Sequence, residues 1–508
     1  MDFWLKGRLV LSREIQADDD IKALIEQANK ELLKKGLPKH VDPDTGGAKV
    51  LSWGLKGSEI TLEVRSDRYV RAHDALVRLR KAFSEELGRK HKVGVRDIIV
   101  DQYKITFELE NQPVEPITLP FVKDISFDGV KCSFTLVDVE QEFLQKNYID
   151  RMIARVKEKA AAQQYQGKAE HWELMEYTGE KEHAWNEDPT QAMLKMHWLK
   201  QGPTKGKWFY FPQVTRIMRT MEHIALEEIL KPLGFQEVIE PHHVALDIWK
   251  RTGHLEGVPN EVYYVCEPGT RDISQWEEFI DHVKITKEIP REMLKDMLAP
   301  PNAGICYAQC PVIYWALEGM TISKDSLPLL IYDRTANSNR YESGGRHGIE
   351  RVDEFHRIEP VYIGTPEQLQ DLREKMLDRY RHVLSDILEL EWRMAWVTPF
   401  YQQQSGEFKE DSGEKVKGTI DFEAYMPYRG TREESEWLEF QNLSIVGEKY
   451  TASFNIKSQV QELWSGCSGI GLERWTTAFL AQKGLDPEKW PDAFNKYLGE
   501  MPSEITFL

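Results

Sequence analysis

Alternating apolar and polar residues begin at Phe3 and predict that residues 1–165 form one N-terminal α+β domain. Gly36 and Pro38 end the first helical period, and Lys56-Gly57 joins two strand-like runs in the manner of a hairpin. The predicted elements are a strand over Phe3–Leu11, a helix over Asp18–Lys35, strands over 48–55 and 58–66, a helix over Arg71–Lys90, strands over 97–110, 114–122 and 130–139, and a helix over Gln141–Ala162.

A second, larger domain is predicted over residues 206–508, where strand-like runs alternate with long helical periods and Trp, Phe and Gly become frequent. Residues 166–205 are polar and weakly periodic, which indicates a linker with some local helix. Residues 267–302 are bounded by Gly and Pro and contain a short helical pattern, which favours a helical insertion. The chain is therefore predicted to be an α+β protein.

Composition and charge narrow the class of protein. The chain has 508 residues, of which 41% are hydrophobic and 29% charged, and its net charge is −17, which excludes general disorder and nonspecific binding of polyanions. No apolar run approaches the roughly 18 residues of a membrane span. The N-terminal residues carry charges too early for a signal peptide. We therefore expect a cytoplasmic protein with no membrane partner.

Five cysteines, at positions 132, 266, 306, 310 and 467, are too few to indicate a disulfide framework. In a reducing cytoplasm, thiols that cluster in the fold are candidate metal ligands.

One segment departs from the acidic average of the chain. Between Arg65 and Arg96, ten Lys and Arg stand against four Asp and Glu, which gives a local net charge of +6. Such a segment is either a solvated helical face or a footprint for RNA phosphates. The candidate contacts are Arg78, Arg80, Lys81, Arg89, Lys90 and Lys92.

The larger domain opens with a helix–strand corner. An amphipathic helix over Val214–Leu230 stops at Gly234, and Val238-Ile239 begin a strand that Pro241 closes.

Further along, charged residues flank a glycine-rich loop. Arg340 and Glu342 alternate on one predicted strand, and after the loop Arg351, Phe355 and Glu359 recur every four residues, which puts these three on one strand face. Charges on a sheet are costly unless they meet a charged ligand. Arginine forks suit phosphate oxygens, and an aromatic ring between them suits a base. This segment is therefore predicted to bind a nucleotide.

The third segment is SGCSGIGLERWTTAFL, in which Gly469 and Gly471 allow the backbone to approach a ligand and Arg474 stands where a helix begins. In order and spacing, the three segments resemble the three motifs of class II aminoacyl-tRNA synthetases. The resemblance implies an antiparallel catalytic sheet flanked by helices, and a homodimer built through the helix and strand of the first segment.

The runs DFEAYMP (421–427) and EFQNLS (439–444) resemble the seryl enzymes of this class. The N-terminal α+β domain, in place of a long helical arm, is similar to that of the rare methanogen-type, zinc-dependent seryl-tRNA synthetases, where it binds tRNA. This resemblance implies a zinc ion held by Cys310, Glu359 and Cys467, with the fourth position open as in catalytic sites. Cys306 remains the alternative to Cys310.

The implied reaction is ATP-dependent ligation of serine to tRNA(Ser), with tRNA(Sec) as a second candidate acceptor, through a seryl-adenylate whose serine amino group is bound to zinc. By resemblance, Arg340 holds the α-phosphate, and Glu342 contacts the adenine amino edge or the tRNA acceptor end. Phe355 stacks on adenine, Arg351 binds the bent triphosphate, and Arg474 stacks on the other face of adenine or reaches the γ-phosphate.

The remaining implied contacts concern magnesium and serine. Glu439 and Asn442 suit a Mg²⁺ ion that bridges phosphates. Gln404, Asn442 and Ser444 are candidates to bind the serine hydroxyl, and the loop Tyr401–Gly418 is a candidate lid over serine.

Two other functions stay open at this point. One is an amino acid:carrier-protein ligase of the same superfamily, which the N-terminal domain argues against. The other is a noncatalytic RNA-binding paralogue, which the retention of Arg340, Arg351, Phe355 and Arg474 argues against.

Overall fold

The computed structural model describes the whole chain except residues 44, 141–142, 145, 147, 165–171, 184, 342–344, 398–414 and 506–508. The chain divides into two compact units, residues 1–169 and 170–508. None of the helices in the described part of the chain is long and apolar enough to cross a membrane.

The first unit is a six-stranded antiparallel sheet in the order β2-β3-β1-β4-β6-β5. Its strands are β1 Asp2–Leu11, β2 Ala48–Lys56, β3 Glu59–Asp67, β4 Val95–Glu108, β5 Asp124–Asp128 and β6 Lys131–Glu140. Its helices are Asp18–Lys30, the 3₁₀ turn Leu32–Lys34, Ala72–His91 and Tyr148–Gln164. One core joins sheet and helices, because Leu5 and Ile105 are buried in the same cluster as Leu76 and Phe83.

The strand predicted over 114–122 is absent from this unit, where β5 at Asp124–Asp128 takes the sheet edge instead. Pro116 and Pro120 fall within the predicted run, and a proline cannot donate to a strand ladder. The other predicted elements of this unit are present, with their ends moved by a few residues.

The second unit is built on an eight-stranded sheet in the order β10-β15-β18-β23-β21-β20-β19-β7, antiparallel except for the β10–β15 pair. The strands of the unit are β7 Trp172–Tyr177, β8 Leu199–Gln201, β9 Trp208–Tyr210, β10 Gln236–Glu237, β11 His243–Ala245, β12 Tyr264–Val265, β13 Ala303–Ile305, β14 Thr321–Ile322, β15 Leu329–Asp333, β16 Ser338–Asn339, β17 Glu354–Phe355, β18 Arg357–Gly364, β19 Trp392–Val397, β20 Gly418–Ala424, β21 Leu438–Gly447, β22 Lys457–Ser458 and β23 Trp464–Gly471.

Helices surround this sheet. They are Pro189–Lys195, Pro212–Ile224 with its continuations Ala225–Leu230 and Lys231–Leu233, Leu246–Arg251, His254–Gly257, Glu277–Thr286, Arg291–Met297, Cys310–Ala316, Pro366–His382 with Val383–Ile387, Lys449–Ser453, Leu472–Lys483 and Asp492–Leu498, with 3₁₀ turns at Ile273–Trp276, Lys324–Ser326, Pro427–Arg429 and Pro487–Lys489.

Two predictions about this unit differ from the structure, and a third, the helical insertion, agrees with it. Residues 172–205, within the predicted linker, contribute β7 to the large sheet and belong to the second unit. The helix after Pro212 does stop at Gly234, which adopts a φ of 85°, but the strand that follows is only Gln236–Glu237 and ends before Val238. The predicted insertion, residues 267–302, contains two helices with no buried residue in either.

The two faces of the large sheet have different roles. Ile358, Leu443 and Ile470 point to one face, where they pack in the main core cluster of the unit. Because side chains alternate along a strand, their neighbours Glu359 and Cys467 point to the opposite face. There the helix Cys310–Ala316 and a second apolar cluster cover the sheet. The candidate site lies on this second face.

Candidate active site

Two thiols and one carboxylate converge beneath the helix Cys310–Ala316. One ligand atom each from Cys310, Glu359 and Cys467 lie within 4.8 Å of one another, and two of the three residues are buried. Cys310 comes from the first turn of that helix, Glu359 from β18 and Cys467 from the adjacent β23. The three residues predicted from separate segments are therefore brought together by the fold.

The two oxygens of Glu359 are in different situations. Oε2 accepts a hydrogen bond from the Gln309 backbone N–H at 3.0 Å and lies 2.9 Å from Nη2 of Arg357. Oε1 is buried and has no hydrogen-bond partner among the described residues. A buried carboxylate oxygen without a donor is costly, so the residues present fit a cation at this point. Two thiolates with one carboxylate are a ligand set suited to Zn²⁺.

The remaining buried cysteine of the region lies outside this group. The Cys306 thiol donates to Oε1 of Glu240 at 3.6 Å, and burial raises its pKa well above the ordinary thiol value. Burial, with the charges of Asp333 and Glu359, also raises the pKa of Glu240 to about 10. Cys306 and Glu240 thus form a separate neutral pair, and the geometry favours Cys310 over Cys306 as a metal ligand.

A narrow cleft beside the cluster is lined by the predicted adenine-binding residues. Phe355 and Arg474 both line it, together with Gly471 at the end of β23. The Arg474 guanidinium donates from Nε to the Glu350 carbonyl at 3.1 Å and from Nη1 to the Glu439 carbonyl at 2.8 Å. These bonds fix Arg474 across the cleft from Phe355.

Glu473 also lines the cleft and connects two of its walls. It was not predicted from the sequence as a site residue. Its carboxylate accepts from the His356 backbone N–H at 2.9 Å and lies 2.7 Å from Nδ1 of the same residue. The helix Leu472–Lys483 is thereby fastened to the strand that carries Phe355. The sequence signal that could have indicated this role is its position directly before Arg474 in the GLER run.

The two remaining predicted phosphate ligands, Arg340 and Arg351, have different surroundings. The Arg340 guanidinium lies 5.5 Å from the Phe355 ring centroid and 5.6 Å from that of Tyr307. Arg351 forms an ion pair with Glu436. The three residues predicted to share one strand face lie in different elements: Arg351 pairs as an isolated bridge with His347, Phe355 ends β17 and Glu359 lies in β18. Glu342 lies outside the described residues.

The predicted magnesium and serine residues lie on β21. Oδ1 of Asn442 accepts from the Gly469 backbone N–H at 3.0 Å, and Glu439 forms an ion pair with Arg474 at 3.1 Å. The hydroxyl of Ser444 lies 2.7 Å from that of Thr419, and Ser444 is the register partner of Cys467. Gln404 and most of the predicted lid, residues 401–414, lie outside the described residues.

Known proteins resemble the chain over its full length. Residues 1–158 match the family model of a tRNA-binding domain. The chain is 47% identical over 515 residues to the type-2 serine–tRNA ligase of Methanothrix thermoacetophila and 45% identical over 511 residues to that of Methanococcoides burtonii, with 100% of each chain covered. It also matches the solved structure of M. kandleri SerRS in complex with A. aeolicus tRNASec at 29% identity and a TM-score of 0.85, covering 99% of both chains.

The chain belongs to the type-2 serine–tRNA ligase family. This membership confirms the predicted class II seryl family, the methanogen-type variant and the class II α+β fold with a tRNA-binding domain at the N-terminus. In this family setting, the cleft and the Cys/Glu/Cys group form one candidate active site.

Proposed function

We propose that the protein activates serine with ATP and transfers the seryl group to tRNA(Ser). The observation that carries the proposal is a Cys/Glu/Cys group on the same strands, β18 and β23, that lead to a cleft lined by Phe355 and Arg474, in a chain similar over its full length to type-2 serine–tRNA ligases. In the first step a serine carboxylate oxygen bonds to the α-phosphorus and pyrophosphate leaves. In the second, the terminal ribose hydroxyl of the tRNA attacks the seryl carbonyl and AMP leaves.

Cys310, Glu359 and Cys467 would hold the zinc ion. When bound, zinc anchors the serine amino group as a ligand and keeps it unprotonated. The protein prepares this arrangement through Gln309, whose backbone N–H fixes one Glu359 oxygen and leaves the other toward the thiols. A metal-binding pair of free thiols also favours the reducing cytoplasm as the place where the enzyme works.

ATP binds in the cleft, in this proposal, with adenine between the Phe355 ring and the Arg474 guanidinium. Arg340, beside Phe355, is placed to stabilise negative charge on the α-phosphate. Arg351 takes the outer phosphates after leaving Glu436. Little covalent chemistry is asked of these side chains, since their contribution is to position the phosphates and stabilise charge.

Serine is distinguished from alanine by its hydroxyl, for which Asn442 and Ser444 are the described candidates. Ser444 is the register partner of Cys467, so a serine bound there by its amino group has its side chain near β21. A site built to bond a substrate hydroxyl rejects the analogue without it by about 10⁴-fold or more. Thr419, whose hydroxyl contacts that of Ser444, holds this group in place.

Two features of the assembly complete the proposal. Residues 1–158 match a tRNA-binding domain, and we assign them recognition of the tRNA body, with tRNA(Sec) as a second acceptor. We also assign a homodimer interface to the helix Pro212–Ile224 and the segment after it. In that segment Ile239 is 81% exposed, which is unusual for a large apolar side chain.

The test is amino-acid-dependent exchange of pyrophosphate into ATP across all twenty amino acids, with and without a chelator, followed by transfer to tRNA(Ser) or to a carrier protein. Serine alone should support exchange, the chelator should abolish it, and tRNA(Ser) should accept the product. Transfer to a carrier protein, or exchange with glycine or alanine instead of serine, would overturn the proposal. Absence of exchange with every amino acid would favour a noncatalytic RNA-binding protein.

A further inference from the structure

Arg357 pairs with Glu359 of the Cys/Glu/Cys group and directly follows the segment that carries Phe355. It is the first residue of β18, two residues after Phe355 and two before Glu359. In register it opposes Gly471 of β23. A Cβ atom added at Gly469 would lie 2.9–3.0 Å from its guanidinium, so the side chain rests flat on a stretch of strand that only glycine leaves open.

The guanidinium of Arg357 is mostly buried, and one of its donors is unused. Its side chain is 15% exposed, and its ion pair within the described chain is with Glu359, at 2.9 Å through Nη2. Nε is buried and has no hydrogen-bond partner in the same set of residues. Arginine carries five N–H donors in a fixed fork. A buried charge with unsatisfied donors is strongly unfavourable, which indicates that a second anion shares this fork in the working enzyme.

The position along the strand indicates which anion this is. Arg357 and Glu359 are successive same-face residues of β18, about 6.6 Å apart, and Phe355 ends the preceding strand β17, so the three follow one another as a row along the chain. In the proposed function, adenine lies at one end of this row and the serine amino group lies at the other. In an α-amino acid, the carboxylate and the amino group are attached to the same carbon. A serine whose amino group lies near Glu359 therefore has its carboxylate near the middle of the row, at Arg357. Arg340 is near enough for its charge to act on Arg357.

We propose that the Arg357 guanidinium binds the α-carboxylate of the amino-acid substrate. This inference rests on the proposed function. One carboxylate oxygen is held by the fork while the other forms a bond with the α-phosphorus of ATP. The bond from that phosphorus to the bridging oxygen breaks, and its electron pair leaves with pyrophosphate. No proton needs to move, because the attacking group is already ionised, and Arg357 stays bound to the carbonyl oxygen of the adenylate.

A purely structural role is the alternative. Arg357 also faces Oε2 of Glu359, so it could act only by keeping that carboxylate in position for the metal. The two roles differ in what they do to a ligand that lacks a carboxylate. Serinamide keeps the amino group and the hydroxyl of serine but replaces the carboxylate with a neutral amide. If Arg357 binds the carboxylate, its loss weakens the binding of serine alone. If Arg357 only positions Glu359 for the metal, its loss weakens the binding of both serine and serinamide.

The experiment compares serine and serinamide binding to zinc-loaded wild-type protein, Arg357→Met and Arg357→Lys by calorimetry, with zinc content measured on each sample. A matched control is Arg381→Met, which removes an ion-paired arginine of the helix Pro366–His382. For Arg357→Met we expect the preference for serine over serinamide to fall at least about 10-fold, with serinamide affinity and zinc content unchanged. Arg357→Lys should give an intermediate preference, and Arg381→Met the wild-type one.

An equal loss for serine and serinamide would overturn the proposal in favour of the structural role. An unchanged preference in Arg357→Met would overturn it outright. If Arg357→Met does not fold, the decision falls to Arg357→Lys, where an unchanged preference has the same meaning. Wild-type protein without serine-dependent pyrophosphate exchange would instead contradict the proposed function, so the two failures can be told apart.

Discussion

Glu439 and Asn442 lie on the same face of β21 although they are three residues apart. Their register partners on β20, Glu423 and Asp421, are two residues apart, and a bulge in the pairing absorbs the extra residue of β21. Without the bulge, a three-residue spacing would put the carboxylate and the amide on opposite faces. The irregularity therefore builds a two-oxygen site on the face that carries Cys467.

This arrangement leads to a prediction about magnesium. Glu439→Gln should raise the Mg²⁺ concentration needed for half-maximal pyrophosphate exchange by about 10-fold or more, because the neutral amide is a weaker ligand for a hard cation. Exchange rates measured over a magnesium series check this. Glu462→Gln, at an exposed glutamate of the same unit, is the control and should behave as wild type. An unchanged magnesium requirement in Glu439→Gln would exclude the carboxylate as a ligand.

The zinc content of cysteine variants should distinguish the cysteines that bind zinc from those that do not. Cys310→Ser and Cys467→Ser should each lose most bound zinc and serine-dependent exchange, since a hydroxyl is a poor substitute for a thiolate ligand. Cys306→Ser should keep both, because its thiol faces Glu240 instead of the cluster. Elemental analysis of purified variants gives the zinc content, with Cys266→Ser as the exposed control. Full zinc content in Cys467→Ser would remove this residue from the ligand set.

The pairing of Arg351 with Glu436 has a consequence for ATP. Glu436 is 64% exposed, and an exposed ion pair contributes about 0.2–1 kcal/mol. ATP must displace this partner to reach Arg351, so Glu436→Gln should lower the KM for ATP by up to about 5-fold. Arg351→Ala should raise it. Steady-state pyrophosphate exchange at varied ATP checks both. A higher KM in Glu436→Gln would mean that the carboxylate assists nucleotide binding.

The sequence is sufficient to predict those site residues whose position follows from their spacing along the chain. Parity along a strand and the turn into a helix predict Phe355 and Arg474 as ligand-binding residues, and both line one cleft. Glu359, predicted in the same way, belongs to the Cys/Glu/Cys group. Arg351 was assigned to that strand incorrectly, since a loop pairing with His347 overrides its parity. Contacts between distant segments leave no trace in spacing.

Arg357 shows why the rest could not be predicted. An arginine two residues before a glutamate is common on solvated strands, and only the burial and the glycine beneath it in β23 reveal a guanidinium whose Nε has no partner among the described residues. Glu436 was missed for a related reason, because its partner is 85 residues away in sequence.

Some residues of the basic segment in the first unit, 65–96, have structural roles and are poor candidates for contacts with RNA. Arg78 donates to the carbonyls of Leu32 and Lys35, and Lys90 pairs with Asp20, so both side chains support the fold. Reversing them would disturb the domain itself. Lys81, an exposed member of the segment, is the better probe for RNA phosphates.

Lys81→Glu should raise the KM for tRNA(Ser) several-fold, reduce the salt dependence of tRNA binding by about one unit of slope, and leave pyrophosphate exchange intact. Aminoacylation and filter binding at several salt concentrations check this. Lys22→Glu, on a helix outside the basic segment, is the control with the same change in charge. Equal effects from the two variants would indicate a general charge effect, and the footprint would then lie elsewhere.

Glu391 is fully buried directly before β19 and holds the segment after β7 against the rest of the second unit. Its carboxylate accepts from the Tyr177 hydroxyl at 2.8 Å, from the Lys181 backbone N–H at 2.8 Å and from Arg432 at 2.7 Å, and it lies 2.8 Å from Nε2 of His183. Burial opposes ionisation, but these partners, Arg432 first, lower the pKa of Glu391 to about 2.

Because the pKa of Glu391 is lower in the folded protein, its ionisation stabilises the fold fully above pH 4.5, the ordinary carboxyl value, and this contribution is lost as the pH falls toward 2. Glu391→Gln should therefore cost about 3 kcal/mol in the free energy of unfolding at pH 7, since it leaves Arg432 with only the more distant carboxylate of Glu180, at 3.7 Å. The difference from wild type should shrink steadily between pH 4.5 and pH 2. Urea unfolding at a series of pH values checks this, with Glu389→Gln as the control, because that exposed neighbour pairs only loosely with Lys483 at 3.6 Å. A difference that stayed constant with pH would show that Glu391 contributes through packing and not through its charge.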